Sequence, residues 1–100
     1  FDPLGRMVAT TETFRLMTRA MMQAADDLCD GRLVLVHEGG YSRALAPYCG
    51  LAVMETLSGI RTKVTDPFDE YVSGFGGQDL QPHQETIIEE ARGLLKKKFA

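Results

Sequence analysis

The sequence predicts an α/β fold with a parallel sheet, and three observations carry that prediction. Arg32-Leu33-Val34-Leu35-Val36-His37 is short, rich in β-branched residues and almost continuously apolar, as a strand covered on both faces would be. Residues 44–57 then return to helix-forming types that are apolar on nearly every side, a pattern that calls for other protein around them. Between the two, Gly39-Gly40 stands at the carboxyl end of the strand, where open α/β sheets take their ligands. A chain of 100 residues has room for one small domain and no second.

In chain order, Asp2-Pro3-Leu4-Gly5 reads as a loop or turn. Thr10 or Thr11 caps a helix with Glu12 in its first turn, and the helix runs to about Cys29. Phe14, Met17, Met21, Ala24 or Ala25, and Leu28 share its apolar face, while Arg15, Arg19, Gln23 and Asp26 fall largely elsewhere. Asp30-Gly31 stops it. After the strand at 32–37, Glu38 to Ser42 breaks the run, and the helix over 44–57 tolerates Pro47 only in its first turn. Gly59 closes that helix.

Arg61 to Thr65 reads as a short extended piece, and Asp66 to Gln81 as a long loop in which Asp66-Pro67, Gly74, Gly76 and Gly77 oppose regular structure. Pro82 to Phe99 is an amphipathic helix with Ile87, Ile88, Ala91, Leu94, Leu95 and Phe99 on one side. Its glutamates 85, 89 and 90 lie toward the start and Lys96, Lys97 and Lys98 at the end, the order a helix dipole favours. One strand cannot make a sheet, so its neighbours, and a natural start, are expected before Phe1.

With 11 basic against 14 acidic residues and a pI near 5.3, the chain lacks the positive field of a nucleic-acid binder. No apolar run approaches the roughly 18 to 20 residues that span a bilayer, so no membrane segment is expected. Cys29 and Cys49 form no framework of short spacings, and no secretory signal is present, which points to reduced thiols in a cytoplasmic protein. His37 and His83, the two histidines, have no ligand partners at a recognisable spacing and read as a strand-end and a helix-start residue. The Asp26, Asp27 and Asp30 cluster and Lys96 to Lys98 read as solvated helix ends. Gly74-Phe75-Gly76-Gly77 lacks the preceding strand and Gly-Lys-Ser/Thr ending of a phosphate loop, and Gly39-Gly40 lacks the full dinucleotide fingerprint.

The chemistry concentrates at Val34 to Ser42. Two consecutive glycines let the backbone come close to a substrate or take positive φ, and Tyr41 can then project a phenol into the cleft. A phenol O–H there can donate to an oxyanion developing on a carbonyl. By itself the pattern points first to a structural turn with a packed aromatic. Glu38 reads as a carboxylate that supports the cleft from behind or lies on the surface, in preference to a general base.

Leu35-Val36-His37-Glu38-Gly39-Gly40-Tyr41-Ser42, preceded by Asp2-Pro3-Leu4-Gly5 and a helix carrying Thr11, Phe14 and Met17, resembles the C-terminal part of a histone deacetylase-like amidohydrolase. The class II and bacterial members, which include acetylpolyamine amidohydrolases, are the most similar. The likeness covers residues 1–60, with Asp66-Pro67-Phe68 and Leu80-Gln81-Pro82-His83-Gln84 extending it loosely. The resemblance implies an α/β fold, the C-terminal part of an open, mostly parallel sheet flanked by helices, of the arginase/deacetylase-like architecture. It also implies zinc-dependent hydrolysis of an N-acyl amine, either a small molecule such as an acetylpolyamine or a peptide carrying acetyl-lysine. Tyr41 then matches the catalytic tyrosine, Gly39 and Gly40 the glycines shaping the acyl channel, and Leu4 an apolar residue at its rim. A leucine there favours acyl-lysine or a broad acyl amide over a cationic polyamine.

Asp2, directly before Pro3-Leu4-Gly5, matches a later, non-ligating aspartate, and the Asp-x-His pair, the second zinc aspartate and the proton-handling histidines are expected upstream. On this view the chain carries one catalytic residue and no metal ligand, is inactive alone, and has the remainder of the catalytic domain as its first partner. Self-association into a homo-oligomer is left open. A non-catalytic member that binds acyl-lysine or a protein is the alternative function.

Overall fold

The structure, a computed structural model, describes residues 2–5, 8–77 and 79–99. Four helices follow one another: α1 (Thr11–Cys29), α2 (Ala46–Ser58), α3 (Asp69–Ser73) and α4 (Pro82–Phe99). Thr10 caps α1 reciprocally: its hydroxyl accepts the Thr13 N–H at 3.2 Å, and the Thr13 hydroxyl accepts the Thr10 N–H at 3.2 Å. Two amides that the first turn leaves without helical partners are satisfied in this way. Asp30, in the left-handed region at φ 55, ends α1 by turning its N–H back to the Ala25 carbonyl. Pro47 lies in the first turn of α2, which begins at Ala46 rather than at 44, and Gly59 caps its far end.

The expected α/β sheet is overturned. Among the described residues there is no strand, and Arg32 to His37 is irregular chain between α1 and α2. A strand exists only through a partner that takes its amides and carbonyls. Among the described residues no backbone hydrogen bond joins 33–40 to another segment. Val34 and Val36, expected to be covered on both faces, are 85% and 77% exposed. The run has the composition of a buried strand without the neighbour that would make it one.

α1 and α2 form the packed centre of the chain. The large apolar side chains of α1 do not make the contact. α1 buries Thr11, Arg15, Thr18 and Ala25 and α2 buries Cys49, Ala52 and Glu55, whereas Met17, Met21 and Leu28 stay exposed. Arg15, which its place off the apolar stripe assigns to solvent, is instead the bridge. Its Nη2 donates to Glu55 Oε2 at 2.7 Å, with only 9% and 3% of the two side chains reaching water. Glu55 Oε1 accepts the Thr62 amide at 2.8 Å and the Thr62 hydroxyl at 2.6 Å, and Arg61 Nε lies 3.6 Å from Oε2. Charge withdrawn from water needs such partners. Arg15 foremost, then Thr62, holds the Glu55 carboxyl down to about 2.

The segment 66–77 is also more ordered than a loop. Asp66 accepts the Thr11 hydroxyl and, at 2.9 Å, the Phe68 amide, so the chain returns to the start of α1. Phe68 meets Tyr48 edge to face with ring centres 6.3 Å apart. α3 follows, with Asp69 and Glu70 in its first turn where the helix dipole favours them. On α4 every described side chain from Pro82 to Arg92 is exposed. The side chains of Leu95, Phe99 and Lys96 to Lys98, assigned to its apolar side and basic end, lie outside those described.

Candidate functional site

The loop from His37 to Ser42 leads into α2, and its shape follows from its glycines. Gly39 has φ +67 and Gly40 φ +90, values that a side chain adopts only at a cost. The space around them is filled as well. A Cβ on Gly39 would stand 3.3 Å from Cε2 of the Tyr41 ring, and one on Gly40 would stand 3.1 Å from His37 Nε2 and 3.3 Å from the Ala46 methyl. Both positions therefore favour glycine chiefly for backbone angle, and a side chain at either would also press on its neighbours. Ser42 then starts the turn into α2: its carbonyl accepts the Ala46 amide at 2.9 Å and its hydroxyl the Leu45 amide at 3.3 Å.

Tyr41 is 59% exposed, its ring lying beside the Gly39 backbone and open to solvent. Its main chain is held from a distance. The Tyr41 N–H donates to Asp2 Oδ2 at 2.8 Å, while Asp2 Oδ1 accepts the Leu4 N–H at 2.9 Å and the Gly5 N–H at 2.7 Å. One carboxylate thus joins the two loops that the sequence singles out, Asp2-Pro3-Leu4-Gly5 and Gly39-Gly40-Tyr41. The Gly5 amide and then the Tyr41 amide keep that carboxyl below its ordinary range.

Next to this junction runs an apolar groove of about 580 Å³ between α1 and α2. The face of α1 that α2 leaves free forms one wall with Phe14, Met17 and Met21, and Leu45, Val53 and Leu57 form another, while Leu35 and Val36 border it. Asp2, His37, Glu38 and Ser42 reach its edge; Tyr41, Leu4, Gly39 and Gly40 lie outside it. Cys49 on its floor is buried, and burial pushes its thiol up. His37 and Glu38 are exposed, and His83 is an exposed second residue of α4. Among the described residues no three His, Cys, Asp or Glu side chains gather as metal ligands would, so these residues do not fit a zinc site.

The histone deacetylase domain family matches residues 1–57, a stretch that holds the Asp2 loop, α1, the Gly-Gly-Tyr loop and α2 almost to its end. The chain belongs to that family. It is 52% identical over 71 residues to a histone deacetylase-like amidohydrolase of Pseudomonas aeruginosa, an alignment covering 71% of this chain and 19% of that protein. It is 36% identical over 72 residues to histone deacetylase 8 of Arabidopsis thaliana, again covering 71% of this chain and 19% of that protein. The chain thus spans about a fifth of the length of these curated relatives. α3 and α4 lie beyond the family match. No helix among the described residues is long and apolar enough to cross a membrane.

The junction at Asp2 and the Arg15–Glu55–Thr62 cluster escape sequence reasoning. Asp2 announces only its local turn, and nothing in composition or spacing ties it to a backbone amide 39 residues on. Glu55 does carry a signal, since a lone acid in a helix otherwise apolar all round needs a cation.

Proposed function

We propose that this chain is one part of a deacetylase domain that removes acetyl or related acyl groups from N-acylated amines, with Tyr41 as its transition-state hydrogen-bond donor. The observation that carries this is the Tyr41 loop. It falls within the family match, its two glycines take positive φ that side chains rarely adopt, and it leaves the phenol facing solvent instead of a packed interior. As the acyl carbonyl becomes tetrahedral, the Tyr41 O–H donates to the oxygen on which negative charge grows. A fixed donor aimed at developing charge lowers the barrier more than it lowers the ground state. Gly39 and Gly40 shape the backbone beside the acyl group, and Leu4 offers an apolar rim suited to an acyl-lysine stem.

Zinc, where the family's members use it, polarises the acyl carbonyl and activates water. Its ligands are assigned to the remainder of the domain, outside this chain, and the chain alone is proposed to be inactive. The exposed Val34 and Val36 and the open groove between α1 and α2 are apolar surface that the remainder would cover. In the intact enzyme Tyr41→Phe should lower kcat by about 10²- to 10³-fold, the cost of one oxyanion donor, with zinc content and KM near their starting values. Unaltered kcat on an acetyl-lysine peptide would defeat the assignment.

A further inference from the structure

We infer that Asp2 is a positioning residue for Tyr41: its carboxylate fixes the tyrosine backbone relative to the Leu4 rim, so that phenol and rim keep one geometry. The inference rests on the role proposed for Tyr41. Its own support is the three hydrogen bonds that divide the carboxylate by function. Oδ1 closes the local turn through the Leu4 and Gly5 amides at 2.9 and 2.7 Å, and Oδ2 is left for the distant Tyr41 amide at 2.8 Å. Bonds from amides to an ionised acceptor are the stronger kind. The need for such a tether follows from the glycines. Gly39 and Gly40 free the backbone on the approach to Tyr41, and among the described residues no backbone hydrogen bond holds 33–40 to another segment. Without the Asp2 bond, the tyrosine main chain would swing on two glycines, and misplacement by about 1 Å at a reacting group can cost about a hundredfold in rate.

The division of labour makes the idea separable from simple loop stability. Asp2→Asn and Asp2→Ser both keep a side-chain oxygen that can close the turn onto the Leu4 and Gly5 amides, as Asx and ST turns do. Neither keeps a second oxygen for Tyr41. In the full-length zinc-loaded enzyme, assayed on an acetyl-lysine peptide, each should lower kcat about tenfold to a hundredfold with little change in KM or Tm. In a Tyr41→Phe background the same substitutions should change kcat less than about twofold, because a tether has nothing left to aim. Hydrogen exchange at the Tyr41 amide should quicken in the Asp2 variants and stay unchanged in Tyr41→Phe.

Equal losses of kcat in both backgrounds, or unchanged exchange at the Tyr41 amide, would overturn the positioning role. So would losses of kcat that rise in step with losses of Tm across the Asp2 variants. Failure of the underlying role of Tyr41 gives a different result, since Tyr41→Phe alone would then retain full kcat.

Discussion

The reciprocal cap at the start of α1 gives a test whose size the structure sets. Thr10→Ala removes the acceptor of the Thr13 amide and leaves the partner bond from Thr10 N–H to the Thr13 hydroxyl in place. Both bonds measure 3.2 Å, the long end of the N–H···O range. Within the roughly 0.5–2 kcal/mol that such substitutions cost, a value of about 1 kcal/mol is therefore expected. For a unit of 60–100 residues that lowers Tm by about 4–8 °C. Thr10→Asp supplies an equivalent acceptor and places negative charge at the helix start, so it should hold Tm within about 2 °C of the starting protein. Thermal unfolding followed by far-UV circular dichroism reads all three proteins. If Thr10→Asp lost as much as Thr10→Ala, or Thr10→Ala lost nothing, the cap would not be what fixes this end of α1.

Two further outcomes follow from buried groups. Because Glu55 is held down to about 2 from an ordinary value of 4.5, it adds stability above pH 4.5 that is lost as pH falls toward 2. Glu55→Gln should be the less stable protein at pH 7 and should lose less on acidification through that window, as urea midpoints across the pH range would show. Iodoacetamide labelling resolved by mass spectrometry should modify exposed Cys29 first and spare Cys49, which is buried with its thiol pushed up; equal labelling of both in the folded protein would contradict the packing of α2.

What could be read from the residues was whatever depends on near neighbours. A cap at Thr10 or Thr11, Asp30-Gly31 as a stop, Pro47 in a first turn and Gly59 as a terminus are all decided within a few residues, and each is found in place, with Thr10 the one that caps. The Gly39-Gly40-Tyr41 loop announces itself for the same reason. Pairing is different, because Arg32 to His37 carries the composition of a strand, while being one depends on a second segment. The side on which α1 packs was misleading too. Its apolar stripe points to Met17 and Met21 as the covered face, yet α2 takes the face with Arg15, since Glu55 gives that guanidinium a partner inside the contact. α3 was hidden by Asp66-Pro67 before it and the glycines after it, though Asp69 and Glu70 mark its start.

The bond between Asp2 and Tyr41 closes a ring of chain, and closing a ring of flexible residues costs entropy that rises with the length left loose. α1 accounts for 19 of the residues inside that ring, and as a helix they act as one stiff strut. The Gly39-Gly40-Tyr41 loop is thereby tied to the start of α1: fraying at Thr10 lengthens the slack that must be gathered before Tyr41 is set. Substitutions along α1, remote from Tyr41 in sequence, would reach its backbone by this route.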